Sequence, residues 1–141
     1  HRLEKFATID GVTYINDSKA TNPAAAIKGL QSFADSVILI AGGMDKKSDF
    51  ADFAAEIPSR VKSLILLGET APEIKAEVKR LNYTDFCHVD DIEAAVEKAY
   101  TLAEDGDVVL LSPACASWDM FSSYKERGNL FKAAVDDLRG K

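Results

Sequence analysis

The chain lacks the long hydrophobic run that a membrane span requires, since no apolar stretch approaches about 20 residues. It also has no surplus of positive charge, because 17 Lys and Arg against 23 Asp and Glu leave a net charge of −6. This balance argues against non-specific nucleic-acid binding, which needs a basic surface. No charged-then-apolar signal segment opens the sequence. We therefore expect a cytoplasmic protein that binds neither a membrane nor nucleic acid.

Cysteine and histidine are scarce. The two cysteines, Cys87 and Cys115, are expected to be thiols rather than a disulfide. His1 and His88 are remote in sequence, and none of these four residues has the spacing of metal ligands. We expect no metal site in this chain.

Glycine-rich phosphate-binding motifs are missing as well. No dinucleotide fingerprint follows an apolar run, since Gly42-Gly43 is too sparse to count as one, and no Walker-type phosphate loop occurs. The chain by itself is not expected to cradle a triphosphate in the usual manner.

Short apolar runs alternate with segments of helical periodicity along the whole chain. Continuous apolar runs are typical of parallel strands that are buried on both faces. Asp10-Gly11 lies between the first two runs, and this hairpin signal predicts one antiparallel edge strand. The 141 residues contain no linker-like stretch. We predict a single α/β domain over 1–141, a Rossmann-like three-layer sandwich with a mostly parallel sheet.

Capping residues predict where several helices begin. Asn22 followed by Pro23 predicts one helix start, Ser48 predicts a second, and Thr70 predicts a third. Pro58 is expected to end the helix that follows Ser48. The predicted strands are 3–9, 12–15, 37–41, 64–67, 86–89 and 108–111, and the predicted helices include 23–30, 49–57 and 129–138.

Three loops rich in polar residues follow predicted strands, and they span 16–23, 42–47 and 112–117. Because parallel strands emerge at one edge of a sheet, these loops are expected to line one cleft. Lysines and backbone N–H groups at helix starts would make that cleft positive. The expected ligand is small and anionic, a carboxylate or a phosphate.

The polar residues also have structural interpretations. Asp17 and Lys19 are equally compatible with a solvated pair in a surface turn. Thr21 and Asn22 suit both helix capping and ligand contact. Cys115 invites a nucleophile hypothesis, but no base lies near it in sequence, so a packing role is favoured.

Taken together, the polar motifs resemble the C-terminal domain of the Mur ligases, the ATP-dependent amino-acid ligases of peptidoglycan precursor synthesis. The resemblance runs from end to end, with the motifs in the family's order and spacing. The motifs that carry it are His1-Arg2-Leu3-Glu4, Asn16-Asp17-Ser18-Lys19-Ala20-Thr21-Asn22, Gly42-Gly43 with Asp45-Lys46, Leu111-Ser112-Pro113-Ala114-Cys115-Ala116-Ser117-Trp118-Asp119, Phe121, Glu126-Arg127-Gly128 and Phe131.

The resemblance implies the third domain of a three-domain enzyme, and the missing initiator Met agrees with a piece cut from a longer chain. In the implied reaction, ATP phosphorylates the carboxylate of UDP-N-acetylmuramoyl-L-alanine, and the amine of D-glutamate attacks the acyl phosphate. ATP and Mg²⁺ are expected to be bound mainly by the central domain. We expect a monomer whose isolated C-terminal domain is inactive, and whose partners are these substrates and the other two domains.

The resemblance also assigns residues to the amino-acid substrate. Thr21, Lys46, Ser117 and Tyr124 match positions that hold the D-glutamate carboxylates. The family commonly has Phe at the position of Tyr124.

Four further residues match positions that face the nucleotide. Lys19 matches a catalytic lysine that faces the substrate and the transferring phosphate. Asp17 and Arg2 match contacts to ATP, and His1 lies where the hinge meets the ATP site.

Two other hypotheses remain open at this point. The chain is also compatible with another ligase of the superfamily, which adds a different amino acid or extends folate with glutamate. It is compatible, too, with a non-catalytic α/β module that binds an anionic metabolite. The Ser-Pro-Ala-Cys-Ala-Ser run favours the D-glutamate enzyme.

Overall fold

A computed structural model describes residues 1–44, 47–117 and 123–140 of the chain. The strands in these ranges are β1 (Glu4–Ile9), β2 (Val12–Asn16), β3 (Val37–Ala41), β4 (Val61–Leu66), β5 (Phe86–His88) and β6 (Val108–Leu111). They form one sheet in the order β1-β2-β6-β3-β4-β5. β1 and β2 pair antiparallel, and the other neighbours pair in parallel. The predicted sheet with one antiparallel edge strand is confirmed.

Helices cover both faces of this sheet. They are α1 (Pro23–Leu30), α2 (Ala51–Ala55), α3 (Ile57–Arg60), α4 (Ala71–Arg80), α5 (Ile92–Leu102) and α6 (Tyr124–Asp137), and a 3-10 turn follows at Leu138–Gly140. Leu39 belongs to a core shared with α1, α2 and α4, whereas Ile38 and Ile40 belong to a core shared with α5 and α6. The strand alternation therefore fills two cores, and the three-layer α/β sandwich is confirmed. Among the described helices, none combines the length and apolar character that crossing a bilayer demands.

The hairpin that joins β1 and β2 adopts the conformation that its sequence predicts. Asp10 and Gly11 have φ angles of 52° and 77°, and Ile9 pairs with Val12 across the two-residue turn. A turn with two positive φ angles matches the right-handed twist of the flanking strands. Farther along the hairpin, the register shifts between Lys5 and Ala7, so β1 contains a bulge there.

The region 48–60 differs from the prediction of one helix capped by Ser48. α2 begins only at Ala51, and Asp49 Oδ1 accepts a hydrogen bond from the Ala51 N–H at 2.8 Å. Pro58 does not end a helix; it occupies the first turn of α3. The physical reason is that proline lacks an N–H and suits a first turn, where that group has no helical partner.

The final helix was predicted to begin near residue 129, and it begins five residues earlier at Tyr124. Ser123 is its N-cap, because Ser123 Oγ accepts a hydrogen bond from the Glu126 N–H at 3.2 Å. A Ser followed three residues later by Glu is the capping-box pattern, and this signal was present in the sequence. The earlier start places Arg127 and Gly128 inside the first turns of the helix.

The substitution Gly42→Ala should be much more destabilising than Gly106→Ala. Both glycines have φ angles that other residues rarely adopt, 118° and 94°. A Cβ at Gly42 would lie 1.9 Å from the Leu67 carbonyl oxygen, whereas a Cβ at Gly106 would meet nothing within 4 Å. We expect Gly106→Ala to lower the free energy of unfolding by about 1–2 kcal/mol, and Gly42→Ala to lower it by more than about 3 kcal/mol. Denaturant unfolding measures both; equal losses would contradict the steric explanation.

Candidate functional site

The polar loops expected to share a cleft follow strands that are neighbours in the sheet. β2, β6 and β3 lie side by side in parallel, so their carboxyl ends reach the same edge. We call residues 17–22 the Asp17 loop, residues 42–47 the Gly42 loop and residues 112–117 the Ser112 loop. Asp45 and Lys46 in the Gly42 loop lie outside the described residues. For the described parts, the contacts below confirm that the loops meet.

Asp17 joins three parts of the chain through its carboxylate and its backbone. Its Oδ1 accepts from the Leu3 N–H at 3.1 Å, and its Oδ2 accepts from the Ser112 hydroxyl at 2.8 Å. The Asp17 N–H donates to the Leu111 carbonyl oxygen at 2.8 Å. A Cβ on Gly29 would lie 2.7 Å from Oδ2, so a glycine in α1 makes room for this carboxylate. The buried Asp17 carboxylate thus connects the Asp17 loop to the Ser112 loop by a hydrogen bond.

The environment of Asp17 also changes its acidity. Burial raises the pKa of the Asp17 carboxyl, while the hydrogen bonds from Ser112 and Leu3 and the nearby charge of Arg2 oppose the rise. The ionised Asp17 carboxylate therefore loses solvation free energy on burial, and its hydrogen bonds offset part of that loss.

The buried guanidinium of Arg127 makes a second set of hydrogen bonds between the loops. Arg127 is 2% exposed. Its Nε donates to Ser18 Oγ at 2.9 Å, its Nη2 to the Ser18 carbonyl oxygen at 2.8 Å, and its Nη1 to the Cys115 carbonyl oxygen at 3.0 Å. Ser18 Oγ in turn donates to the Tyr124 carbonyl oxygen at 2.7 Å. Arg127 therefore attaches the first turn of α6 to the Asp17 and Ser112 loops.

The Gly42 and Ser112 loops are joined through their backbones. Met44 and Ala116 form an antiparallel bridge, with hydrogen bonds of 2.8 Å and 3.0 Å. The Gly42 N–H donates to the Pro113 carbonyl oxygen at 2.9 Å. Ala114 lies between these contacts with a φ of 64°, which is uncommon for a residue other than glycine. Ser117 directly follows the bridge and is buried.

Thr70 adds a fourth loop to this edge. It is the N-cap residue of α4, as predicted, but its side chain makes no capping hydrogen bond. Thr70 Oγ1 instead accepts from the Gly43 N–H at 3.1 Å and lies 3.2 Å from Cys115 Sγ. The loop after β4, which the sequence presents as an ordinary turn, is therefore part of the support for the other loops.

His1 lies against the start of α6. Asn16 Nδ2 is 2.9 Å from His1 Nδ1, and Asn16 Oδ1 accepts from the Ser18 N–H at 3.1 Å. The amide nitrogen of Asn16 must therefore be the donor, so His1 Nδ1 accepts and the neutral ring carries its proton on Nε2. The ring meets Tyr124 edge-on, with centroids 5.8 Å apart, and the absence of a side chain on Gly128 leaves space for it.

The residues assigned to ligands differ in exposure. The Lys19 side chain is exposed, and its backbone N–H donates to the His1 carbonyl oxygen at 3.0 Å. Thr21 and Tyr124 are half-buried, and Arg2 is exposed. The structure thus brings these residues to the edge where His1 and the Asp17 loop meet.

Lys46 cannot be placed in the same way, because it lies outside the described residues together with Trp118 and Phe121. The predicted roles of the ligand residues stay predictions. Ser117 is linked to the Asp17 loop indirectly, through Cys115 and Arg127.

Sequence reasoning missed Arg127 and Thr70 as parts of this edge. For Arg127 a signal existed, because the capping box at Ser123 would have placed it in a first helical turn. For Thr70 no local signal distinguishes a capping hydroxyl from one directed at other loops.

Metal-binding groups are not assembled in the described ranges, where no three His, Cys, Asp or Glu side chains cluster in a way that could hold an ion. Cys87 is a half-buried thiol, and Cys115 is a buried thiol in the Ser112 loop. His88 is exposed at the end of β5.

The fold and the site define an α/β sandwich whose loops form one polar edge. A family model described as "Mur ligase, glutamate ligase domain" matches residues 1–115. The chain belongs to this family, as the motifs at its polar edge predict. The family consists of amino-acid ligases.

Individual relatives agree with this assignment. The chain is 52% identical over 141 residues to UDP-N-acetylmuramoylalanine--D-glutamate ligase of Caldanaerobacter subterraneus subsp. tengcongensis, covering 99% of this chain and 31% of that protein. It is 50% identical over 138 residues to the same-named protein of Caldicellulosiruptor saccharolyticus, covering 98% and 30%. The chain thus spans about 30% of the length of the curated relatives it matches.

A solved structure has the same fold. A bifunctional folylpolyglutamate synthase/dihydrofolate synthase with Mn, AMPPNP and L-glutamate bound superposes with a TM-score of 0.63 at 19% identity. The match covers 95% of this chain and 31% of that one. At this identity the likeness shows the fold alone.

The charge of Asp17 should make Asp17→Asn progressively more favourable as pH rises. The folded-state pKa is raised above the unfolded value of about 3.9. The stability contributed by protonation is therefore present below pH ~3.9 and is lost as pH rises through the folded-state pKa. We expect the unfolding free energy of Asp17→Asn, minus that of the unaltered chain, to increase over this window by at most about 1.4 kcal/mol per pH unit and then level off. Denaturant unfolding across pH measures it, and a difference that decreases with pH would refute the burial argument.

Arg127→Met should be strongly destabilising. It removes the donors to the Ser18 and Cys115 carbonyl oxygens at the meeting point of two loops. We expect the free energy of unfolding to fall by about 3 kcal/mol or more. Lys125→Met is the matched control, because Lys125 is exposed on the same helix and its loss should change stability by less than about 0.5 kcal/mol. Similar losses for the two variants would show that the buried ties do not hold the loops.

Proposed function

We propose that this chain is the C-terminal, amino-acid-delivering domain of an ATP-dependent ligase that adds D-glutamate to UDP-N-acetylmuramoyl-L-alanine. The observation that carries the proposal is 52% identity along the whole chain to a ligase of that name. The meeting of the Asp17, Gly42 and Ser112 loops supports it, because each loop carries residues that the sequence resemblance assigns to this chemistry. The reaction belongs to cytoplasmic peptidoglycan precursor synthesis.

The proposed reaction forms one amide bond in two steps. The carboxylate of UDP-N-acetylmuramoyl-L-alanine accepts the γ-phosphoryl group of ATP, and ADP leaves. The amine of D-glutamate then attacks the acyl carbon, and a tetrahedral intermediate collapses to the amide and inorganic phosphate. The domain contributes by holding D-glutamate with its amine directed at the acyl carbon, which removes much of the entropic barrier.

D-Glutamate brings two carboxylates, and the proposed partners match them in chemistry. Lys46 supplies a cation, and Thr21, Ser117 and Tyr124 supply hydroxyl donors. Ser117 lies directly after the Met44–Ala116 bridge, so its position depends on the pairing of the Gly42 loop with the Ser112 loop. A hydrogen bond to a charged group contributes about 1.5–3 kcal/mol, so a few of them suffice to orient a small polar substrate.

Lys19 is proposed to neutralise charge that develops on the transferring phosphoryl group. Its exposed side chain on a loop anchored to His1 and Asp17 is consistent with reaching a ligand outside the domain. Arg2 and His1 are proposed to contact ATP from the same side. Asp17 already uses each carboxylate oxygen once, but each oxygen retains a second acceptor site for a nucleotide contact.

Mg²⁺ would supply charge neutralisation for the phosphates when it is bound. The described residues do not suit it, because no three His, Cys, Asp or Glu side chains cluster among them in a way that could hold an ion. Magnesium and most of the ATP are therefore assigned to the remainder of the full-length protein. The domain over 1–141 is proposed to be inactive alone, and the full-length enzyme to act as a monomer.

The folylpolyglutamate-type ligases are the second candidate, since the solved folylpolyglutamate synthase/dihydrofolate synthase with L-glutamate bound shares the fold. The sequence identity of 19% to that enzyme against 52% to the D-glutamate ligase favours the latter. Release of phosphate by the full-length protein, measured with D-glutamate, L-glutamate and L-alanine in turn, separates the candidates. Release without any amino-acid dependence would favour neither ligase.

Lys46→Ala in the full-length enzyme should impair the use of D-glutamate and leave ATP binding nearly unchanged. Loss of one charge-assisted hydrogen bond predicts an increase of the D-glutamate KM by about ten- to a hundredfold, with the ATP KM within about twofold. Steady-state kinetics measure both. Lys47→Ala is the matched control, because Lys47 is the exposed neighbour of the same charge.

Two results would count against this assignment. An unchanged D-glutamate KM in Lys46→Ala would remove Lys46 from the amino-acid site. Equal effects of Lys46→Ala and Lys47→Ala would indicate a general loss of positive charge rather than a specific contact.

A further inference from the structure

We propose that Thr70 is a positioning residue for the amino-acid site. Its hydroxyl holds the Gly42 loop, which leads to Lys46, against the Ser112 loop, which leads to Ser117. The inference rests on the proposed function for its kinetic consequence. Its structural part, the role of the hydroxyl in ordering the Gly42 loop, stands on the contacts alone.

The contacts of Thr70 reach both loops from one buried position. Thr70 is 0% exposed. Its Oγ1 accepts from the Gly43 N–H at 3.1 Å, and its own N–H donates to the Gly43 carbonyl oxygen at 3.0 Å. The same Oγ1 lies 3.2 Å from Cys115 Sγ. A hydroxyl has one proton and two acceptor sites, so it can serve Gly43 and Cys115 at the same time.

The side chain of Thr70 makes these contacts in place of a helix cap. Thr70 occupies the N-cap position of α4, where a threonine side chain ordinarily accepts a hydrogen bond from the first turn. Here that bond is absent, and the hydroxyl is directed at the two loops instead. A cap contributes about 1 kcal/mol to helix stability, so its replacement by loop contacts indicates where the hydroxyl acts.

The backbone around Gly43, which Thr70 contacts, is tightly packed against the Ser112 loop. A Cβ on Gly43 would lie 2.4 Å from the Ala116 carbonyl oxygen and 3.1 Å from Cys115 Cβ. One residue farther along, Met44 pairs with Ala116 through two backbone hydrogen bonds. Movement of Gly43 would therefore disturb the bridge between Met44 and Ala116, the residue directly before Ser117. Displacements of about 1 Å at positioning groups can cost two orders of magnitude in rate.

The test uses the full-length protein with Thr70→Val, which keeps the shape and removes the hydroxyl, and with Thr70→Ser, which keeps the hydroxyl. We expect Thr70→Val to raise the D-glutamate KM at least fivefold with the ATP KM within twofold. Thr70→Ser should stay within twofold of the unaltered enzyme for both constants. Thr84→Val is the control for removing a threonine hydroxyl at an exposed position.

Hydrogen–deuterium exchange gives a readout that does not depend on activity. In Thr70→Val, the backbone amides of Gly43 and Met44 should exchange at least tenfold faster, while those of β3 and β6 should keep their exchange rates. In Thr70→Ser the two amides should exchange within twofold of their rates in the unaltered protein. If Thr70→Val does not fold, Thr70→Ala removes the same hydroxyl without a methyl group against the Gly43 N–H, and the comparison proceeds with it.

Unchanged exchange at the Gly43 and Met44 amides of a folded variant that lacks the hydroxyl would overturn the inference. So would an unchanged D-glutamate KM, or equal KM increases in Thr70→Val and Thr70→Ser, since the latter would implicate packing rather than the hydroxyl. Failure of the unaltered enzyme to use D-glutamate would overturn the proposed function instead. The exchange experiment would then still decide whether Thr70 orders the Gly42 loop.

Discussion

The polar edge of this domain depends on one buried guanidinium. Arg127 donates to oxygen atoms of Ser18 and Cys115, which lie 109 and 12 residues away from it in the chain. A planar guanidinium presents several donors in a fixed fork, and a lysine could not serve three acceptors in these directions. Because a buried charge is costly when its donors lose their acceptors, the two loops cannot separate from α6 without a large penalty. The docking of α6 onto the sheet and the arrangement of the two loops therefore depend on the same hydrogen bonds of Arg127.

Most of the residues that shape the edge differ from those proposed to bind ligands, and Asp17 is proposed to do both. Asp17, Ser18 and Ser112 are buried, and each makes hydrogen bonds to other parts of the chain. Lys19 is exposed and Thr21 is half-buried, so their side chains remain accessible from outside. The density of polar residues in the sequence thus has two origins. Some polar residues make the hydrogen bonds that hold the loops together, and others have side chains that are accessible on the loop surface.

The fold was predictable where local patterns carry the information. β3 and β6 were predicted with their observed bounds, because continuous apolar runs define buried parallel strands. The starts of α1 and of the hairpin turn were predicted from Asn22-Pro23 and Asp10-Gly11, which encode their own backbone conformations.

The support of the site was less predictable. Ser112 pairs with Asp17 across 95 residues, and no local pattern reports such a contact. The hydroxyl of Thr70 gives the same signal in sequence whether it caps α4 or holds two loops. The convergence of the loops could be predicted from the sheet topology, whereas the hydrogen bonds that connect the loops could be identified only from the tertiary structure.

The bulge in β1 has a consequence for how the domain behaves at high concentration. β1 is the outer strand of the sheet, and its pairing register jumps between Lys5 and Ala7. An incoming strand from another molecule would meet a kinked rim, with the exposed amine of Lys5 beside it, instead of a straight row of amide partners. Growth of cross-molecule β-structure into fibrils is therefore disfavoured at this rim.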